Sequence, residues 1–308
     1  MNKIRELTET YEGKILKSVG GVYTVETENT IIECKARGIF RKDGITPYVG
    51  DSVNIMKIGD SEAVIVEVLP RKNDIVRPPV ANVDCIVFVM STVEPSPNLE
   101  ILDKFLAIAE FKNITSYIAV TKTDLAAGFA VSEFINTYDK TVADVFPIDY
   151  DCPESYLKLY NNLADKTVVF TGNTGVGKST LLNRLDSNIK SEVGEISRKL
   201  GRGRHTTRTV TLFKLPNNAY VADTPGFGVF ETTRYDYIYK ENLAHCFKDF
   251  RPYLGNCRFQ DCTHTKEIGC EVIEAVRTGK IPQSRFDNYI RMYDEVSLIK
   301  LWKMRQTM

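Results

Sequence analysis

The sequence predicts a multidomain protein, with an N-terminal β-barrel over residues 1–72, a central α/β domain over 73–234 and a C-terminal helical domain over 235–308. Three changes of pattern support this division. Short runs of alternating apolar and polar residues come first, apolar strands separated by helix-like stretches follow, and helix-like segments then surround a Cys/His cluster.

The first domain contains five or so short strands. GG, KDG and IGD are turn signals that separate the runs GKILKSVGGVYTVET, TIIECKARGIF, DSVNIMKI and EAVIVEVLP. So many strands in so short a stretch favour a small closed barrel such as an OB-fold. A generic β-domain without a ligand is the alternative at this point.

The central domain alternates strands with helices. Its apolar runs are DCIVFVM, ITSYIAV, DVFPI, TVVFT and AYVAD, and LEILDKFLAIAEF has the apolar spacing of a helix. This order predicts a parallel sheet covered on both faces, with functional residues at the carboxyl ends of the strands. In the last domain, the helix-like segments are DYIYKENLAHCFKDF and the stretch EVIEAVRTGKIPQSRFDNYIRMYDEVSLIKLW.

Composition and charge exclude several classes of protein. The 308 residues contain 40 Lys and Arg against 40 Asp and Glu, so that only local basic patches could bind nucleic acid. Seven cysteines are too few for a disulfide scaffold. The first thirty residues lack the apolar core of a signal peptide, and no stretch approaches about 18 apolar residues. We therefore expect no membrane segment, a cytoplasmic location and, as the default, a monomer.

A phosphate-binding loop follows the run TVVFT. The residues from Gly172 to Ser179 match G-x-x-x-x-G-K-[ST], in which glycines let backbone N–H groups converge on phosphate oxygens. Lys178 would reach the β- and γ-phosphates and the Ser179 hydroxyl would bind Mg²⁺. The alternative is a glycine-rich turn that matches by chance. The predicted nucleotide-binding residues here are Gly172, Asn173, Thr174, Gly175, Val176, Gly177, Lys178, Ser179 and Thr180.

Two further elements follow apolar strands and point to guanine. The tetrapeptide Thr121-Lys122-Thr123-Asp124 resembles the [NT]-K-x-D element of GTPases, in which the carboxylate accepts both N–H donors of the guanine edge. The tetrapeptide Asp223-Thr224-Pro225-Gly226 matches the D-x-x-G switch element. There Asp223 would hold Mg²⁺ through water and the Gly226 N–H would sense the γ-phosphate. Either element alone could be an ordinary turn. Together with the phosphate loop they predict GTP as the ligand.

The order of these elements is unusual, because the base-reading element precedes the phosphate loop and D-x-x-G comes last. A site that needs only convergence at strand ends tolerates such permutation. The sequence here resembles the circularly permuted, ribosome-small-subunit-dependent GTPases of bacteria, over nearly its whole length. The resemblance implies a P-loop GTPase domain flanked by an OB-fold and a zinc domain, acting with the 30S subunit and its rRNA in late maturation.

The resemblance also covers Gly203-Arg204-His205-Thr206-Thr207, which looks like the family's switch I signature. It implies that Thr206 or Thr207 closes on Mg²⁺. Phe227 stands where many small GTPases place the glutamine that orients water, so we expect slow intrinsic hydrolysis, with His205 positioning water once a partner orders the loop. Lys178 and Asp223 complete the predicted catalytic set.

The stretch from Ile196 to Asp223 has no acidic residue before Asp223 itself and six Lys or Arg residues. We read it as a nucleotide-gated contact with RNA phosphates, and the alternative is a solvated loop. In VFPIDYDCPES, residues 145–155, no residue matches the expected base-support loop.

Three thiols and one imidazole form a candidate metal site, with the pattern Cys257-x4-Cys262-x-His264-x5-Cys270. Four such ligands suit tetrahedral Zn²⁺ and leave no open position, which predicts one structural zinc ion. Unliganded buried cysteines are the alternative. Outside the cluster, the thiols at 34, 85 and 152 are predicted to be small buried groups, and His245 and Cys246 to be core or surface residues.

The sequence thus predicts a GTPase that hydrolyses GTP to GDP and acts on the 30S subunit. One alternative is a GTP-gated scaffold for RNA or protein with a non-ribosomal partner. The other, a P-loop kinase acting on a small molecule, is disfavoured by the base-reading and switch elements.

Overall fold

A computed structural model of the chain describes residues 10–38, 40, 44–58, 62–76, 78–125, 128–187, 210–223 and 238–298. The chain forms two compact units. The first comprises residues 1–84, 160–170 and 179–224, and the second comprises residues 85–159, 171–178 and 225–308. Among the residues described, no helix is both long and apolar enough to span a membrane.

Strands dominate the first half of the chain and helices the second. The strands are β1 (Thr10–Val19), β2 (Val22–Thr27), β3 (Ile31–Ala36), β4 (Ser52–Ile58), β5 (Glu62–Val68), β6 (Asp74–Ile75), β7 (Val80–Ala81), β8 (Cys85–Ser91), β9 (Thr115–Thr121), β10 (Asp144–Pro147), β11 (Thr167–Thr171), β12 (Leu212–Lys214) and β13 (Tyr220–Asp223). The helices are α1 (Leu99–Phe111), α2 (Gly128–Tyr138), α3 (Pro153–Asn162), α4 (Lys178–Leu185), α5 (Lys240–Leu243), α6 (Glu271–Arg277) and α7 (Gln283–Ser297).

The first unit contains a closed five-stranded barrel in the order β1-β2-β3-β5-β4. Only the β3–β5 pair is parallel, and β4 returns to pair with β1. Alternate residues such as Ile15, Val25, Val53 and Ile65 point inward and are fully buried. The barrel predicted from the alternating runs is confirmed, and a short β6–β7 hairpin follows it.

The first unit also contains three strands from later in the chain. β13 runs parallel to β11, whereas β12 runs antiparallel to β13. The five predicted apolar runs form β8–β11 and β13, and the antiparallel β12 is an additional strand that the sequence pattern did not predict. The cause is local, because Leu215–Ala219 forms a tight turn in which Asn218 has a φ of 62° and the Leu215 N–H bonds the Ala219 carbonyl at 2.8 Å.

The second unit contains three parallel strands in the order β10-β9-β8. Their register pairs Ser91 with Thr121 and Pro147 with Val120, so that all three strands end at one edge. α1 covers the residues predicted to be helical, and the Asn98 side chain caps it by accepting the Ile101 N–H at 3.1 Å. This edge carries the loops described below.

The C-terminal segment, residues 238–298, builds its own apolar core and packs on α1. Core members include Leu243, Phe247, Phe250 and Tyr289, and Ala107 of α1 joins them. The stretch DYIYKENLAHCFKDF is predicted to be helix-like. Within its described residues, only α5 is an α-helix, and 3-10 turns follow at Ala244–Cys246 and Lys248–Tyr253. Phe247, between the two turns, has extended backbone, with a φ of -99° and a ψ of 100°, and this interrupts the helical stretch.

A buried charge network fixes this segment to α1. Arg285 of α7 donates to Asp103 of α1 at 2.6 Å and binds both carboxylate oxygens of Asp249 at 3.1 and 2.8 Å. The Asn288 amide donates to the second Asp103 oxygen at 2.7 Å, and the Arg285 guanidinium lies 4.6 Å from the centre of the Phe247 ring. Each carboxylate oxygen therefore has a donor, as buried charges require.

Candidate nucleotide site and metal centre

The phosphate loop needs glycine at three positions. Gly172 directly follows β11, and a Cβ there would collide with the Val89 carbonyl of β8. Gly175 and Gly177 have φ values of 86° and 92°, a region that other residues rarely adopt. The backbone of the predicted phosphate loop thus takes a shape that only its own glycines permit.

α4 begins at Lys178, at the end of this loop. Leu181, Leu182 and Leu185 are buried and hold the helix in place. Ser179 and Thr180 are exposed at its first turn, and Lys178 is half-buried. The first N–H groups of a helix lack partners within the helix and carry partial positive charge, so this end can bind an anion.

The base-reading element continues from β9 and touches the phosphate loop. Thr121 is fully buried, and its hydroxyl lies within hydrogen-bond distance of the Val176 carbonyl and, at 3.1 Å, of the Met90 carbonyl. Two elements that are 55 residues apart therefore meet, as the prediction of one site requires.

The next three residues form the turn that follows. Lys122 adopts a φ of 57° and donates to the Glu94 carbonyl, while the Thr123 hydroxyl donates to the Ile148 carbonyl at 3.0 Å. Asp124 lies exposed at this turn. The side chains of Lys122 and Thr123 thus support the turn, and the carboxylate predicted to read guanine is accessible.

Tyr150 is a residue of this site that sequence reasoning missed. It lies in the loop after β10, and its hydroxyl donates to the Gly177 carbonyl at 3.1 Å. No motif marks this residue. Its position directly after an apolar strand that ends at the same edge is the only signal that could have found it.

Asp223 ends β13 and pairs in register with Phe170, two residues before Gly172. It is half-buried. The described residues do not include Gly226, His205, Thr206 or Thr207. They also do not include the part of the basic stretch that precedes residue 210. Their predicted roles stay predictions.

The four predicted metal ligands come together. The ligand atoms of Cys257, Cys262, His264 and Cys270 all lie within 4.8 Å of one another. His264 Nδ1 lies 3.5 Å from the Cys257 sulfur and 3.4 Å from the Cys270 sulfur. The set matches the thiolate and imidazole donors of structural zinc sites.

The protonation chemistry of this cluster also suits a cation. Burial raises the pKa of Cys262 to about 12 and raises that of Cys270, so that adjacent thiolates are unfavourable without a positive charge between them. Burial lowers the pKa of His264, which favours the neutral imidazole that ligates metals. The described residues therefore fit a divalent metal ion.

Glu267 shapes the loop that presents His264. Its carboxylate accepts the N–H groups of Thr263, Thr265 and Lys266 at 2.8, 3.0 and 3.1 Å, and also the Thr263 hydroxyl. Burial acts to raise the pKa of Glu267, but these hydrogen bonds outweigh it and lower the pKa to about 2. The ionised carboxylate thus ties together a turn in which His264 has a φ of 57°.

The remaining cysteines have no part in the cluster. Cys34, Cys85 and Cys246 are buried, and burial raises the pKa of Cys34 to about 11 and that of Cys246 to about 12. The prediction that Cys152 is buried is wrong. It is partly exposed, because it lies in the loop after β10, where its sulfur is 3.5 Å from a Glu154 oxygen.

Comparison with known families decides what this chain is. A family model described as RsgA GTPase matches residues 68–233, and a model described as RsgA N-terminal domain matches residues 12–65. The chain belongs to the RsgA GTPase family. The resemblance drawn from the sequence motifs is therefore confirmed.

Individual RsgA proteins match most of the chain. The protein of Caldanaerobacter subterraneus subsp. tengcongensis, named small ribosomal subunit biogenesis GTPase RsgA, is 42% identical over 288 residues, which are 94% of this chain and 96% of that protein. The protein of the same name from Streptococcus pneumoniae is 42% identical and covers 92% of this chain and 94% of its own length.

Two solved structures share the fold of this RsgA-family chain. The crystal structure of YjeQ from Thermotoga maritima has a TM-score of 0.80 at 32% identity. The match covers 95% of this chain and 100% of the YjeQ chain. The structure titled YloQ, a circularly permuted GTPase, has a TM-score of 0.77 at 33% identity and covers 96% and 98%. The predicted architecture of barrel, GTPase domain and C-terminal Cys/His cluster is confirmed.

Proposed function

We propose that this protein is a GTPase that binds the small ribosomal subunit and acts in its late maturation. The observation that carries the proposal is the contact between the base-reading element and the phosphate loop, in which the Thr121 hydroxyl meets the Val176 carbonyl. Family membership and the name of its relatives, small ribosomal subunit biogenesis GTPase, support the choice of partner.

The reaction is attack of water on the γ-phosphorus of GTP, with cleavage of its bond to the β–γ bridging oxygen and release of GDP and phosphate. In this scheme Asp124 accepts the two guanine N–H groups, and Lys178 neutralises charge on the β- and γ-phosphates. Ser179 and, through water, Asp223 would hold Mg²⁺, which would supply further positive charge. Gly226 and Thr206 or Thr207 sense the γ-phosphate, and His205 positions the water.

The other domains serve binding and stability in this proposal. Cys257, Cys262, His264 and Cys270 hold one Zn²⁺ that stabilises the small C-terminal domain, residues 235–308. The basic stretch near residue 205 contacts rRNA, while 1–72 is the OB-fold barrel and 73–234 is the GTPase domain. The protein acts as a cytoplasmic monomer.

GTP hydrolysis by the purified protein tests the proposal, with 30S subunits, with 50S subunits and with neither. We expect strong stimulation by 30S alone, and we expect His205→Ala to lose that stimulation while keeping GTP affinity. Tight GTP binding with no response to 30S would contradict the ribosomal role and favour a scaffold with another partner. A phosphorylated small-molecule product would contradict the hydrolase and identify a kinase.

A further inference from the structure

Two consecutive carbonyls of the phosphate loop accept hydrogen bonds from side chains of neighbouring loops. The Val176 carbonyl accepts the Thr121 hydroxyl, and the Gly177 carbonyl accepts the Tyr150 hydroxyl at 3.1 Å. Both carbonyls directly precede α4. The second bond comes from a loop in which the sequence offers no nucleotide-binding motif.

The geometry of the peptide bond gives the Tyr150 contact a consequence. In a trans peptide the carbonyl and the N–H point in opposite directions, and the Gly177 carbonyl shares one peptide with the Lys178 N–H. Holding that carbonyl on one side therefore keeps the Lys178 N–H on the other side. Lys178 is the first residue of α4, so this N–H belongs to the helix end that attracts anions.

Gly177 makes such a restraint necessary. Its φ of 92° and its lack of a side chain allow this peptide a wide range of rotation. A Cβ at Gly177 would lie 3.1 Å from the Tyr150 hydroxyl oxygen, so the hydroxyl packs directly against the Gly177 backbone. Tyr150 is half-buried, which leaves its hydrogen bond partly shielded from water.

We propose that Tyr150 is a positioning residue for the phosphates, whose hydroxyl fixes the Gly177–Lys178 peptide so that the Lys178 N–H faces the β-phosphate of bound GTP or GDP. This inference rests on the proposed GTPase function. Tyr150 acts through the backbone of the loop and not by touching the nucleotide. Its effect must therefore depend on the presence of a β-phosphate.

The test compares GDP with GMP, which share base, ribose and α-phosphate. Both compete with a fluorescent guanine nucleotide for the full-length protein and for Tyr150→Phe, which lacks only the hydroxyl. We expect GDP to bind about two- to tenfold more weakly to Tyr150→Phe, the range for loss of one hydrogen bond, and GMP to bind equally to both proteins. Tyr156→Phe on α3 is the matched control and should change neither affinity.

Three results would overturn the inference. GDP could bind Tyr150→Phe as tightly as the wild type, both nucleotides could be weakened equally, or Tyr156→Phe could reproduce the effect. Failure of the wild-type protein to bind GTP would instead refute the proposed function itself. Circular dichroism checks folding, and if Tyr150→Phe does not fold, the ratio of GDP to GMP affinity in Tyr150→Leu decides the question.

Discussion

Replacing Arg285 by methionine tests how firmly the C-terminal segment is held on α1. The side chains of Arg285, Asp103 and Asp249 are 2%, 0% and 2% exposed. Methionine fills a similar volume but leaves two buried carboxylates without their cation. Removing one partner from a buried ion pair costs about 3–5 kcal/mol, and we expect this loss in the stability of the segment.

The loss should depend on pH in a defined direction. Burial raises the pKa of Asp103, and Arg285 opposes that rise. Without Arg285 the folded-state pKa of Asp103 rises further above its unfolded value. A carboxyl with a raised folded-state pKa favours folding at low pH and loses that contribution as the pH rises through the folded-state pKa. The deficit of Arg285→Met should therefore be largest at neutral pH and shrink on acidification.

Hydrogen exchange of peptides from α7 measures this local stability directly. A cost of about 3–5 kcal/mol corresponds to exchange that is roughly 100- to 4,000-fold faster. The matched control is Arg291→Met on the same helix, because Arg291 is 61% exposed and pairs with Glu100 at 3.0 Å. An exposed pair contributes about 0–1 kcal/mol. Equal exchange in the two variants, or a deficit that grows on acidification, would refute the reasoning.

Three further predictions concern the two sites. Asp124→Asn should weaken GTP binding at least tenfold without improving ATP binding, because it removes a charged acceptor, and nucleotide competition measures both affinities. Cys270→Ser should remove most of the bound zinc measured by elemental analysis and lower the unfolding temperature, whereas Cys152→Ser, outside the cluster, should change neither. Glu267→Gln should lower the unfolding temperature in excess zinc. Since the pKa of Glu267 is lowered to about 2, its contribution is present above about pH 4.5 and is lost as the pH falls towards 2. A difference from wild type that persists unchanged at pH 3 would contradict this assignment.

Local patterns predicted much of the fold, and they identified the base-reading element and the phosphate loop, which the structure brings into contact. The phosphate loop and the element that begins at Thr121 are short motifs with fixed residue spacings. The local sequence alone was therefore enough to identify each of them. The barrel followed from strand period and turn signals. The antiparallel β12 was missed, although the Pro216-Asn217-Asn218 turn was a readable hairpin signal.

Long-range contacts were not predictable in the same way. Arg285 and Asp103 are 182 residues apart, and neither lies in a motif. An arginine in an amphipathic helix normally faces water, and only the packing of α7 on α1 buries this one. Tyr150 was missed for the same reason, since its role depends on a carbonyl 27 residues away.

The buried network also constrains how this protein can be divided or recombined. Asp103 lies within residues 68–233, the segment that the RsgA GTPase family model matches, yet its cation comes from α7. A fragment that ends before the C-terminal segment would expose an apolar surface of α1 with an unpaired carboxylate at its centre. The GTPase domain is thus not an independent module, and exchanging its C-terminal segment for an unrelated one would require a matching change at position 103.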